Sequence, residues 1–229
     1  MKVIGSAIPV ACWSCSAAHE ASALFCANCS KIQPPPSGEY FSVFKLEPRL
    51  NLDLSALEQE FHRLSRKLHP DRFARASENE REWSLADTAL LNDAYRTLKN
   101  PLQRTQYLLK LHGAEIGEEH AGKGRTDPSR VPPDLLEEVF DLNMQLEEMR
   151  MGKKMGETDP EVEANLVEAK KKFDGLLDDV DNDLRAQWNA WDNGDEAARE
   201  AAQKTMVALL DRRRYLNNLV RDVTETLGA

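Results

Sequence analysis

The chain lacks any apolar run of the ~18 residues that a membrane-crossing helix needs. It has no arginine before Arg49, which argues against an Arg-rich transit peptide, and its early apolar stretch at residues 7–10 is broken by Pro9, which argues against a secretory leader. These features favour a bacterial cytoplasm, with the mitochondrial matrix as the alternative for a processed chain. There is no Gly-rich phosphate loop followed by Lys-Ser/Thr and no G-x-S-x-G elbow, so two large enzyme classes have no motif here. Positive charge is short as well. Thirty Lys+Arg against 39 Asp+Glu give a formal charge of −9, a poor footing for phosphate-backbone binding. Cysteine is scarce, and all 4 lie within residues 12–29, which points to one local site rather than a stapled secreted fold. Strand-like alternation is missing outside that segment, as is any repeat of domain size. What is present is 41% hydrophobic and 30% charged residues over 229 positions, enough apolar surface for ordinary cores.

Three segments follow different patterns. Residues 1–37 are rich in Cys, Ala and Ser and end in Gln33-Pro34-Pro35-Pro36-Ser37-Gly38, which reads as an extended linker setting the segment apart. Residues 38–113 read as helices. Leu54, Leu57, Phe61, Leu64 and Leu68 form one helical face behind Asp53 as N-cap, and the pattern halts at His69-Pro70 because proline disfavours helix in the residue before it. A second helix carries Leu90, Leu91, Ala94, Tyr95 and Leu98 up to Asn100-Pro101, and a third holds Leu102, Tyr107, Leu108 and Leu111. Residues 114–133, with three Gly and three Pro, read as a second linker inside a 114–229 segment. Beyond it lie three helical stripes: 135/139/142/146/149, 162/166/169/173/176/180 behind Asp159-Pro160, and 206/209/216/220/223/227 interrupted at Arg213.

The cysteines read Cys12-x2-Cys15, ten residues, then Cys26-x2-Cys29. Each C-x2-C bends the backbone so that both sulfurs face one ion, and two such knuckles make a tetrahedral S4 shell. That shell suits zinc; spacing alone leaves iron open as well. Two disulfides or a redox pair are the other readings, but the thioredoxin-like βαβ context of a redox pair is missing. With all four positions taken by Cys the site is structural, and metal binding would supply folding free energy to a segment too small for its own core. His19 reads as a surface residue rather than a fifth ligand.

His69-Pro70-Asp71 follows a helix whose outer face carries Arg63, Arg66 and Lys67, and Arg72 and Arg75 extend the patch. On a chain of net −9, a local basic cluster gives steering toward an acidic protein surface. Tyr40-Phe41 and Phe44-x-Leu46 precede that helix, and Leu91-Asn92-Asp93-Ala94-Tyr95-x-x-Leu98 follows it. Together these resemble a J domain. Asn92 through Arg104, then Tyr107-Leu108-Leu109-x-Leu111-His112-Gly113, resemble more narrowly the HscB family, the J-domain co-chaperones of iron–sulfur cluster assembly. Arg72 stands where the family pattern has Lys. Cys12-Trp13-Ser14-Cys15 with Leu24-Phe25-Cys26-x2-Cys29 resembles the extra metal domain of animal and plant members.

The resemblance implies an all-α chain: a J domain and a C-terminal three-helix bundle, preceded by a small zinc-ribbon-like or rubredoxin-like tetracysteine domain. It implies two partners, a DnaK-class (HscA-like) chaperone met by His69, Pro70, Asp71, Arg63, Arg66, Lys67 and Arg72, and an IscU-type scaffold met by the bundle. The chain would be an adaptor that stimulates the chaperone's ATPase, not an enzyme, with no nucleic-acid or membrane partner. Beside the 135/139 stripe run Leu136, Phe140 and Met144, displaced by ~100° around the helix. Periodicity allows either a wide buried arc or a free face. On the family pattern Leu136, Glu137, Phe140, Asp141 and Met144 fall at scaffold-contacting positions, with Glu137 where Met is usual and Met144 where an acid is usual, and Tyr215 matches an aromatic of the last helix. Other readings are an adaptor for another client, a zinc-ribbon nucleic-acid binder and a thiol oxidoreductase. Self-association through the N-terminal segment or the C-terminal helices stays open.

Overall fold

The computed structural model describes residues 9–36, 39–116, 131–157 and 159–228. The stretch 117–130, most of the expected second linker, lies outside the described residues, as do Ser37 and Gly38. The chain divides into two compact units, Met1–His112 and Gly113–Ala229. The all-α expectation holds: the described residues contain seven α-helices and one two-stranded sheet. No helix among them is long and apolar enough to cross a membrane.

In the first unit, strand β1 (Val10–Ala11) pairs antiparallel with β2 (Ala18–His19). Helix α1 (Tyr40–Val43) is followed by α2 (Leu54–Leu68), α3 (Glu78–Lys99) and α4 (Pro101–Leu111). Asp53 caps α2 by accepting from the Ser55 and Ala56 amides. Asn100 caps α4, whose Pro101 occupies the first position where no amide partner is needed. Leu57, Leu64 and Leu68 of α2 are buried with Leu91, Ala94 and Leu98 of α3 and with Leu108 and Leu109 of α4. Leu54, expected on the same face, lies exposed in the first turn, and Phe61 stacks on Tyr95 with ring centroids 4.1 Å apart. Tyr40 stacks on Tyr107, whose hydroxyl accepts from the Tyr40 amide. Buried Arg104 donates to the carbonyls of Leu50 and Leu98, tying the loop before α2 to the end of α3.

Helix α3 begins twelve residues before Leu90, at Glu78, under a capping box in which Ser77 and Glu80 exchange side-chain and backbone bonds. Its buried face over the first turns is polar: Glu80, Ser84 and Asp87. Ser84 Oγ donates to the Leu68 carbonyl at 2.6 Å, and Thr88 Oγ1 lies 3.4 Å from the same oxygen. The last turn of α2 is thereby fastened to α3.

The proline run does not hold the cysteine segment away from the helices. Lys31 Nζ is 2.8 Å from Glu80 Oε1, Trp13 packs edge-on against Trp83 at 5.6 Å, and Lys67 lies over the Phe25 ring at 5.9 Å. The Lys31 ammonium beside Glu80 holds its carboxyl below the ordinary range. An ion pair and two aromatic contacts outweigh the separation that a short stiff linker suggests.

The second unit is a bundle of α5 (Leu136–Met155), α6 (Pro160–Asn193) and α7 (Glu196–Leu227), entered by a 3-10 turn at Pro133–Leu135. Leu135, Val139, Leu142, Leu146 and Met149 are buried, as are Val162, Leu166, Phe173 and Val180. The α6 face continues through Leu184, Trp188 and Trp191. On α7 the buried residues include Met206, Leu210, Leu216, Leu219 and Val223, a shift from the expected 209 and 220. A straight helix turns 3.6 residues per turn, so a strict 3-4 stripe drifts round it over 32 residues. Arg213 sits in that stripe because it reaches across to Asp181, Nε to Oδ1 2.6 Å. Arg212 clamps Asp134 with two bonds of 2.7 and 3.0 Å, and Lys153 Nζ caps the end of α7 at the Thr226 and Leu227 carbonyls.

Asp87 is fully buried, and neither carboxylate oxygen has a hydrogen-bond partner among the described residues. Burial pushes its carboxyl up to about 7. In the unfolded chain the group ionises near its ordinary value of about 4, so between these limits folding takes up a proton. Stability therefore falls as pH rises through this window, by at most about 1.4 kcal/mol per unit, and levels off above it. We expect Asp87→Asn to flatten the pH dependence of urea unfolding and to raise the midpoint at about pH 8; an unchanged pH profile in the variant would contradict this assignment.

Candidate functional site

Three groups of side chains stand out: the cysteine cluster, the turn after α2, and one face of α5.

The two knuckles are built alike. Ser16 and Ser30 both take positive φ, 60° and 59°, and their amides donate to the Cys12 and Cys26 carbonyls at 2.9 Å. The Cys12 amide donates to the Ala17 carbonyl and the Cys26 amide to the Lys31 carbonyl, again both at 2.9 Å. A bridge between Phe25 and Ile32 echoes the β1–β2 pair around the first knuckle. Trp13 Nε1 donates to the Ile32 carbonyl at 2.7 Å and locks the two halves together.

The four Sγ atoms lie within 4.8 Å of one another, with Cys12–Cys29 and Cys15–Cys26 each at 3.7 Å. A tetrahedral shell with metal–sulfur bonds of about 2.3 Å has sulfur–sulfur edges of about 3.8 Å. The donor set thus fits a metal ion, whereas a disulfide needs about 2.05 Å, and all four thiols are free. Asn28 Nδ2 and Gln33 Nε2 donate toward Cys15 and Cys12 from 3.5 and 3.4 Å, an outer layer that supports negative sulfur. Against the effect of burial, the Cys15 and Ser14 amides and the neighbouring thiols bring Cys12 down to about 6. The Lys31 amide favours the Cys29 thiolate, yet burial and the other three sulfurs push that thiol up to about 11. Crowded thiols give up their last proton reluctantly unless a cation replaces it.

At the end of α2, His69 leaves the helix with ψ 127° and Pro70–Phe73 form a 3-10 turn. The Asp71 amide donates to His69 Nδ1 at 3.3 Å, and Asp71 Oδ2 lies 3.5 Å from the same nitrogen. His69, Pro70 and Asp71 are all exposed, as are Arg63, Arg66, Lys67 and Arg72. Arg63 is engaged by Glu60 one turn earlier, Nε to Oε2 2.6 Å. The basic helix end and the rigid turn therefore share one open corner, aimed by the fastened Leu68 carbonyl.

On α5, Leu136, Phe140 and Met144 are 56%, 64% and 57% exposed, so the second stripe is a free face. Glu137 and Asp141 are exposed beside it. Met151 and Met155 carry the row to the end of the helix, an extension hidden in the sequence by Glu147 and Glu148. Tyr215 is not part of this face. It is buried, its hydroxyl has no partner among the described residues, and burial pushes the phenol up.

Replacing Cys26 and Cys29 by Ser should abolish stoichiometric metal uptake. Because Lys31, Trp13 and Phe25 touch α2 and α3, it should also lower the thermal midpoint of the first unit. Metal analysis and circular-dichroism melting check both; an unchanged helical midpoint would show that the segment is thermally independent.

No protein-family model matches the chain. Individual proteins do. A mouse iron-sulfur cluster co-chaperone protein HscB is 33% identical over 220 residues, 94% of this chain and 82% of that protein. A Vibrio vulnificus co-chaperone protein HscB homolog is 34% identical over 150 residues, 65% of this chain and 82% of the relative. The crystal structure of human co-chaperone protein HscB superposes with a TM-score of 0.65 at 25% identity, covering 94% of this chain and 97% of the other. With the exposed His-Pro-Asp turn and the tetracysteine cluster already in place, these likenesses make the chain a member of the HscB family of iron–sulfur cluster co-chaperones.

Proposed function

We propose that the protein is a two-ended adaptor. Its His69-Pro70-Asp71 corner engages the ATPase side of a DnaK-class, HscA-like chaperone, while its C-terminal bundle holds an IscU-type scaffold. The observation that carries this reading is the pairing, in one HscB-family chain, of an exposed rigid turn on a basic helix with an uncovered apolar row on α5.

The ATP chemistry belongs to the chaperone. On this reading His69 and Asp71, held by the proline and by their mutual contact, bias the chaperone toward its hydrolysing conformation through contacts they make in that state only. Arg66, Lys67 and Arg72 steer the encounter with an acidic surface. Leu136, Phe140 and Met144 offer a desolvating patch to the scaffold, and Glu137 and Asp141 at its edge favour a partner with basic residues around its own apolar spot. Zinc in the four-thiolate shell would serve as a structural ion with no open coordination position. Action in the cytoplasm belongs to the same proposal.

Two variants separate the ends. His69→Gln should abolish stimulation of the chaperone ATPase, measured as steady-state phosphate release, with scaffold binding and the circular-dichroism spectrum unchanged. Leu136→Ser with Phe140→Ser should weaken scaffold binding by about tenfold or more in calorimetry, with basal stimulation kept. Full stimulation by the first variant, or full binding by the second, would refute the corresponding end.

A further inference from the structure

The cysteine segment does more than cover the helices it touches: with them it encloses a cleft of about 620 Å³ within the first unit. One wall is the second knuckle, with Phe25, Ala27 and Ile32; the other carries Lys45, Lys67 and Arg72. Arg63 and Lys31 also line it, each engaged by a carboxylate, Glu60 and Glu80 respectively. Among the described residues no carboxylate lies within ion-pair reach of Lys45, Lys67 or Arg72. The cleft lining thus carries five cations, Lys31, Lys45, Arg63, Lys67 and Arg72, against the two carboxylates Glu60 and Glu80, an excess of positive charge beside an apolar wall on a chain whose formal charge is −9. It opens beside the His-Pro-Asp turn, since Arg72 and Phe73 line it and belong to the 3-10 turn that Pro70 starts.

We propose that the knuckle and α2 form one composite docking surface, and that the cleft takes an acidic segment of the chaperone that the His69-Pro70-Asp71 corner engages. The inference rests on the chaperone reading above. Charge complementarity identifies the occupant: the excess of cations over carboxylates in the lining suits an acidic segment, while a chain of net −9 is a poor partner for the continuous polyanion of a nucleic acid. The tetracysteine segment thereby gains a role in partner docking. Folded around its metal, it supplies the wall that turns an open basic helix face into a concave site, where charges are screened less.

Ala27 tests this directly, because it is exposed, lines the cleft and is neither a metal ligand nor part of the basic helix. Ala27→Glu and Ala27→Lys are compared in the full chain, with binding to the ATPase domain of a DnaK-class chaperone measured by calorimetry at low and high salt. Metal content is measured for each protein. The expected result is an affinity about threefold or more lower for Glu than for wild type, no loss for Lys, and convergence of the three proteins at high salt. Should either Ala27 variant lose metal, Lys45→Glu on the opposite wall replaces it, with the same expected loss. Equal affinities for wild type, Glu and Lys would overturn the composite surface while leaving the chaperone reading intact, provided wild type binds and His69→Gln loses stimulation. Tighter binding by the Glu variant, or displacement of the chaperone by single-stranded RNA, would also overturn it. A wild-type chain that neither binds nor stimulates would remove the chaperone reading itself.

Discussion

The carbonyl of Leu68 is the point on which the first unit turns. Helix α2 cannot continue past it, because Pro70 closes the helical region to His69, so the carbonyl would be left buried without its helical partner. Ser84 supplies a 2.6 Å hydrogen bond to it from the next helix, with Thr88 beside it at 3.4 Å. The cost of leaving such a group unpaired, about 1–3 kcal/mol, is what that contact avoids. Its structural effect is larger than its energy. It sets the direction in which His69 leaves α2, and with it the placement of the 3-10 turn and the basic residues on either side.

The same constraint explains which parts of the fold were legible in the sequence. Helices α2, α4, α5 and α6 announce themselves by apolar spacing, caps and prolines. The first half of α3 does not, since its buried face is Glu80, Ser84 and Asp87: Glu80 serves the cap, Ser84 serves the Leu68 carbonyl, and Asp87 is a buried acid in place of an apolar side chain. The Ser77-x-x-Glu80 capping box was the readable trace of that helix start. On α7 the stripe was legible but its register was not, because Arg213 takes a core-facing position for the sake of Asp181. Contacts made by single residues leave no periodic trace at all, so the seating of Trp13, Phe25 and Lys31 on α2 and α3 could not be read from the chain.

The candidate sites divide in the same way. Spacing alone pointed to the cysteine quartet, whereas the His-Pro-Asp turn needed its context, the basic helix before it and the aromatic and 91–98 motifs on either side. The α5 face needed packing to decide it: the row at 136, 140 and 144 could have been core, and burial of the neighbouring stripe settles it as surface. Tyr215 went the other way, into the core. Met151 and Met155 lengthen the surface row beyond what spacing disclosed.

The central claim is that a turn held rigidly by its neighbours, not merely the presence of three residues, activates the chaperone. The most direct measurement is chaperone ATPase stimulation by a Ser84→Ala, Thr88→Val chain, read beside its helical content at the assay temperature. Unfastening the Leu68 carbonyl should cut stimulation severalfold while the helices stay formed and His69, Pro70 and Asp71 stay in place. Full stimulation by this variant would contradict the account.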